Sequence, residues 1–154
     1  MLKLLFVCHG NICRSPMAES VCAYEIEKRG IKNVAVDSAA AHTDEIGNPP
    51  HRGTVEKLRR EGIPLVAHRA RLLVKSDGEK YDYFIGMDEY NVRDMKRILG
   101  NIQKPVCKLL DFTSSPRAIA DPWYTGNFDE TFEDVTMGVN ALLDELENKG
   151  LARR

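Results

Sequence analysis

A chain of 154 residues, 43% hydrophobic and 29% charged, suits one globular domain over residues 1–154 with a sizeable core. A formal net charge of −1 speaks against a general nucleic-acid or membrane-surface binder. No apolar run approaches the roughly 18 residues of a membrane span, and the short N-terminal apolar run passes straight into a polar motif, unlike a secretory leader, so a cytoplasmic protein is expected.

Leu2-Lys3-Leu4-Leu5-Phe6-Val7 is an apolar run of strand length. Cys8-His9-Gly10-Asn11-Ile12-Cys13-Arg14-Ser15-Pro16 follows at once, and Pro16 can open a helix, where its missing N–H costs nothing. A strand, a tight loop and a helix N-terminus in that order make an anion site, because loop N–H groups converge and the helix dipole adds positive charge. Cys8 closes the strand, and Arg14 can bring its planar fork over the same anion. Positive surroundings of this kind favour thiolate over thiol, and Ser15 is placed to hydrogen-bond the sulfur.

Met17, Val21 and Tyr24 continue as an amphipathic helix closed by Gly30, with Cys22 as a small core residue. Val34-Ala35-Val36 is a second strand, ended by Asp37-Ser38, and residues 39 to 53 are loop-like around Gly47-Asn48-Pro49-Pro50. Val55 and Leu58 begin a helix that Gly62 closes, and a brief apolar run, Ile63 to Val66, precedes His68. Tyr81 to Met87 reads as a third strand, Asp88 as the cap of a helix carrying Val92, Met95 and Leu99, and Pro105 to Leu110 as a fourth strand. Residues 111 to 127 form a long loop holding Asp121-Pro122-Trp123-Tyr124, before a helix with Phe132, Val135, Val139, Leu142, Leu143 and Leu146 on its apolar face. Alternating strands and helices imply a parallel sheet with its ligand outside the carboxyl ends of the strands. Cys8, Ser38, Met87 and the 111–127 loop are all expected to follow strand ends and meet there.

C-x5-R is the signature of cysteine-dependent phosphatases, and the whole string from Cys8 to Pro16, directly after an N-terminal strand, resembles the low-molecular-weight protein tyrosine phosphatases. The resemblance runs over essentially the whole chain. It implies a three-layer α/β fold whose four-stranded parallel sheet has the order 2-1-3-4. It also implies a phosphocysteine mechanism: Cys8 as nucleophile, Arg14 on the phosphoryl oxygens, and Asp121 as general acid and then base. His9, Gly10, Asn11, Ile12 and Cys13 would hold the phosphate through the loop, while Trp123 and Tyr124 would wall the substrate ring. Asn11, Ser15, Ser38 and His68 match the network that supports the loop, and Cys13 the residue that can form a reversible disulfide with the nucleophile. No metal or other cofactor is implied. The partners would be phosphotyrosine-containing proteins, met by a monomer that self-associates weakly at most.

Taken without the resemblance, Asp121-Pro122 is an ordinary turn and Asn11, Ser15, Ser38 and His68 are ordinary loop residues. His9, His42 and His51 keep that reading as side chains, and Asp37 and Asp88 read as turn and cap. The chain departs from the family pattern at Asp44, which stands where an aromatic residue is usual, with Glu45 next to it, and at Ala40, where glycine is usual. A protein arginine phosphatase on the same scaffold is the alternative, though that branch typically has threonine at the position of Ile12. A non-enzymatic phosphate-binding module would not need both Cys8 and Asp121. An arsenate reductase needs further cysteines that residues 70 to 95 lack, and Cys8 and Cys13 are not spaced as a C-x-x-C redox or zinc pair.

Overall fold

A computed structural model describes all 154 residues. Strand β1 (Leu2–Cys8) lies inside a four-stranded parallel sheet of order β2-β1-β3-β4, with β2 at Val34–Ala40, β3 at Tyr83–Gly86 and β4 at Val106–Lys108. Both faces of β1 are covered, which is why it reads as an unbroken apolar run. Leu4, Phe6 and Cys8 face one core, built with α1 (Arg14–Arg29) and α6 (Phe128–Asn148). Leu5 and Val7 face the other, built with Val92, Met95 and Leu99 of α4 (Glu89–Leu99). The period of two along the strand thus decides that Cys8 points to the α1 side.

Helix α2 (Arg52–Arg60) follows the loop after β2, and the one-turn helix α3 (Asp77–Lys80), unforeseen from the sequence, precedes β3. The helices cover both faces of the sheet, giving the expected three layers. Because β2 and β3 lie on opposite sides of β1, a crevice opens beyond the carboxyl ends of β1 and β3.

Several boundaries differ from the sequence reading. Strand β2 runs on to Ala40 rather than ending at Asp37-Ser38, so Ser38 lies within a strand and not after one. These polar residues stay in the ladder because each finds a partner: Asp37 accepts from Tyr81 Oη at 2.6 Å, and Ser38 Oγ donates to Glu19 at 2.5 Å. Helix α1 begins at Arg14, so Pro16 is its third residue; the first turn has spare N–H groups, and Pro16 needs none. The fourth strand is short and tightens at once into a 3₁₀ turn, Leu109–Phe112. Helix α6 starts at Phe128, capped by Asn127, where the loop of residues 111 to 127 was expected to end. Within the loop before it, Pro122–Thr125 form one helical turn, α5, whose cap is Asp121. No helix is long and apolar enough to cross a membrane.

Candidate active site

Residues 9 to 13 wrap from the end of β1 to the start of α1. Their carbonyls are tied outward: Cys8 and His9 accept from Ala41 and His42 N–H, Ile12 from His51 N–H, and Cys13 from Thr54 Oγ1. None of the backbone N–H groups from His9 to Arg14 donates to a protein carbonyl. That loop therefore presents a ring of spare donors above a strand end and a helix N-terminus, the arrangement that binds a phosphoryl group. Asn11 is held at φ 59°, the left-handed region that asparagine enters only at a cost. Gly10 leaves room for Glu45, whose Cγ would lie 3.3 Å from a Cβ placed there.

The left-handed turn is held by a buried network. Asn11 Nδ2 donates to Ser15 Oγ at 2.8 Å and to Ser38 Oγ at 2.9 Å. Its Oδ1 accepts from the Arg71 N–H and lies 2.6 Å from His68 Nε2. The main-chain N–H of Arg71 can only donate, so the amide cannot be flipped, and His68 Nε2 must carry the proton. Ser38 gives its own proton to Glu19. The Ser15 hydroxyl, already accepting from Asn11, is free to donate to Cys8 Sγ at 3.0 Å, and the Ser15 N–H points at the same sulfur from 3.4 Å. Both donors stabilise negative charge on sulfur. Glu19 is the member of this chain that sequence reading missed: it sits on α1, yet its role depends on a strand nineteen positions away. Burial pushes its carboxyl up to about 7 and keeps the His68 imidazole below its usual range.

Arg14, 3% exposed, spends only part of its fork on the protein. Nη1 donates to Asp88 Oδ2 at 2.8 Å and to the Ile119 carbonyl at 2.9 Å. Nη2 makes only a long 3.4 Å contact with Asp121 Oδ2, and Nε is buried with no partner at all. The Nε–Nη2 edge is thus an unused bidentate donor. Asp88 caps α4 as expected, but it also aims this arginine, a second duty that a cap signal does not reveal.

Asp121 reaches the same place from the other end of the chain. Its Oδ1 caps α5 by accepting from the Trp123 N–H, and Oδ2 faces Arg14. Trp123 and Tyr124 are 56% and 84% exposed, free of the core and at the rim. A cavity of about 620 Å³ opens between these segments, with Cys8, Arg14 and Asp121 at its lining. Asp44 and Glu45 stand on its wall, as does the His9 ring, which pairs with Asp44 at 2.7 Å and stacks on His42 at 4.2 Å. His42 in turn meets Asp94 at 2.9 Å. His9 and His42, read as ordinary loop side chains, both stand at the rim of the cleft. His51 is structural, capping α2 and stacking on Phe128.

The structure thus brings Cys8, Arg14, Asp121, His9, Gly10, Ile12, Cys13 and both aromatic residues to one cleft, with Asn11, Ser15, Ser38 and His68 behind it. A thiol, a guanidinium edge, a ring of amides and a carboxyl are the groups that nucleophilic displacement at phosphorus uses.

The low molecular weight phosphotyrosine protein phosphatase family model matches residues 3–152. The chain is 39% identical over 153 residues to YfkJ of Bacillus subtilis, named a low molecular weight protein-tyrosine-phosphatase, covering 97% of this chain and 98% of that one. It is also 39% identical over 145 residues to PtpA of Staphylococcus epidermidis, covering 94% and 93%. The YfkJ crystal structure superposes with a TM-score of 0.92 at 38% identity, over 97% of this chain and 96% of that one. A mutant of the YwlE arginine phosphatase with a phosphorylated active-site serine superposes at 0.84 with 25% identity, over 95% and 96%. A match of this extent reaches from the first strand to the last helix and takes in both ends of the cleft, so the chain belongs to the low molecular weight phosphotyrosine protein phosphatase family.

Proposed function

We propose that this protein hydrolyses phosphotyrosine in proteins, with Cys8 as nucleophile, Arg14 and the loop amides as phosphoryl clamp, and Asp121 as proton donor and acceptor. The observation that carries the assignment is the Arg14 Nε–Nη2 edge, with Nε unpartnered and Nη2 in only a long contact with Asp121, above a loop whose N–H groups are all spare. In the first step the Cys8 thiolate attacks phosphorus and the bond to the phenol oxygen breaks. Asp121 gives that oxygen its proton. In the second step Asp121 takes a proton from water, whose oxygen displaces the sulfur and frees inorganic phosphate. Ser15, donating to Sγ, stabilises the thiolate at the start and as it leaves. The amides and Arg14 hold the equatorial oxygens throughout, so charge is met by fixed dipoles that need no reorganisation.

Trp123 and Tyr124 offer flat apolar walls suited to a phenyl ring, and Ile12 adds apolar surface where a guanidinium would want a polar partner. The deciding experiment compares phosphotyrosine and phosphoarginine peptides side by side, without added metal. The phosphotyrosine peptide is expected to be the faster substrate. Asp121→Asn should lower its kcat by roughly 10²–10⁴-fold, the usual range for a lost general acid. Faster phosphoarginine turnover would keep the mechanism and overturn the substrate class; no turnover of either would leave a binding module.

Cys13 ends the same loop, 4% exposed, and burial together with Cys8 pushes its thiol up to about 12. It is therefore a thiol while Cys8 works, and we assign it the task of capping Cys8 once peroxide has made the sulfenic acid: its sulfur bonds to Cys8 Sγ and water leaves. Peroxide-inactivated parent protein should regain most activity in dithiothreitol, and the Cys13→Ser variant should not. Equal recovery by both would remove that role.

A further inference from the structure

Behind the phosphate loop, Glu19 of α1, Asp37 of β2 and His68 bring three ligand atoms within 4.8 Å of one another. None of the three lines the cleft. The Glu19 and His68 side chains are only 5% and 7% exposed. His68 Nε2 is committed to Asn11 as a donor, which leaves Nδ1 as the outward-facing nitrogen of that ring. Nδ1 makes no hydrogen bond. It faces Glu19 Oε1 across 3.7 Å, too far for a hydrogen bond, so this buried nitrogen keeps a free lone pair beside a carboxyl oxygen. Two ligands on a tetrahedral zinc ion stand about 3.3 Å apart, since zinc–nitrogen and zinc–oxygen bonds are near 2.0–2.2 Å. The Glu19–His68 gap needs to close by only a few tenths of an ångström, while the half-exposed Asp37, within 4.8 Å, must swing in further.

We propose that Glu19, Asp37 and His68 Nδ1 form a site for a divalent transition-metal ion that restrains the phosphate loop from behind. One imidazole with two carboxylates suits zinc-like ions better than magnesium or calcium, which prefer all-oxygen sets. Asp37 is the half-exposed edge by which the ion enters. Its oxygens already accept from the Ser38 N–H and Tyr81 Oη, bonds that orient the carboxylate while leaving lone pairs for metal. Arg71 is the competing cation, but it holds Asp77 through two contacts of 3.2–3.3 Å and touches Asp37 only at 3.7 Å. An ion on Glu19 draws charge from the carboxylate that accepts the Ser38 proton. That bond heads the chain through Asn11 and Ser15 to Cys8, so occupancy slows turnover without blocking phosphate. The kinetic consequence rests on Cys8 being the nucleophile; the binding site does not.

The test therefore has two arms. Zinc chloride is titrated calorimetrically, and cobalt(II) followed by its visible absorption, into the Cys8→Ser protein, which lacks the competing active-site thiol. One ion should bind, and adding Asp37→Asn should weaken it at least ten-fold; because asparagine keeps an oxygen to accept from the Ser38 N–H, that variant should melt close to its parent. Loss of binding in Cys8→Ser alone, or binding indifferent to Asp37→Asn, overturns the site. In the parent enzyme, zinc should lower kcat reversibly, with chelator restoring it, and leave the inhibition constant of inorganic phosphate unchanged. Zinc that competes with phosphate would place the ion in the cleft and overturn the regulatory role even where binding is seen.

Discussion

Replacing Cys8 by serine should remove turnover of phosphotyrosine peptides by at least about 10⁴-fold, while inorganic phosphate still binds within a few-fold of its parent affinity. The two halves follow from different atoms. Chemistry needs the sulfur as nucleophile, and a serine hydroxyl is a far weaker one, however well Ser15 donates to it. Binding needs the amides of His9 to Arg14 and the spare edge of Arg14, and none of these leans on the Cys8 side chain. Isothermal titration with phosphate and single-turnover hydrolysis measure the halves separately. Residual turnover within ten-fold of the parent would transfer the nucleophile's role elsewhere. Loss of phosphate binding would mean that the sulfur shapes the loop rather than reacting in it.

The parts of this molecule that the sequence exposes are those set by neighbours in the chain. The run Leu4 to Val7 announces a strand buried on both faces, and the same run sets Cys8 at its end. The phosphate loop is legible because amides, left-handed turn and helix start are consecutive. The sheet order is not written in any local pattern; it comes with the resemblance, and the register Cys8 to Ala40 and Val7 to Gly86 agrees with it.

What escapes a sequence reading is long-range. Asp88 looks like a cap and is one, yet its other oxygen aims an arginine 74 positions earlier. Glu19 looks like one more charged residue of a helix, but it lies on the face of α1 turned to β2, so its carboxyl is buried and must be met by Ser38. Asp37 and Ser38 resemble a turn because their partners, Tyr81 and Glu19, lie on other elements. The His9–His42 stack joins the phosphate loop to the loop after β2, two segments that a sequence scan meets separately. Polar residues are misread wherever the group that satisfies them is distant in sequence.

Arg14→Lys should lower kcat/KM for aryl phosphates by roughly 10³-fold, although the charge is retained. Two donors act on the phosphoryl oxygens from a planar fork, and each such preorganised donor is typically worth about 10²–10³-fold when the transition state depends on it. Lysine offers one rotatable ammonium on a flexible stem. In this setting it would turn to Asp88 or Asp121, both within 3.4 Å of the present guanidinium, and leave the phosphate edge empty. The Ile119 carbonyl would also lose its 2.9 Å donor, so the segment leading to Asp121 is loosened at the same stroke. That structural part should be modest, on the order of 1–3 kcal/mol for a buried charge-assisted hydrogen bond. Thermal melting of the variant gives that term, and phosphate affinity, expected to fall at least ten-fold, gives the direct one. A variant that melts early yet binds phosphate and turns over within ten-fold of the parent would make Arg14 a brace for the Asp121 loop. A variant that melts near the parent and loses both would establish the Nε–Nη2 edge as the phosphoryl clamp.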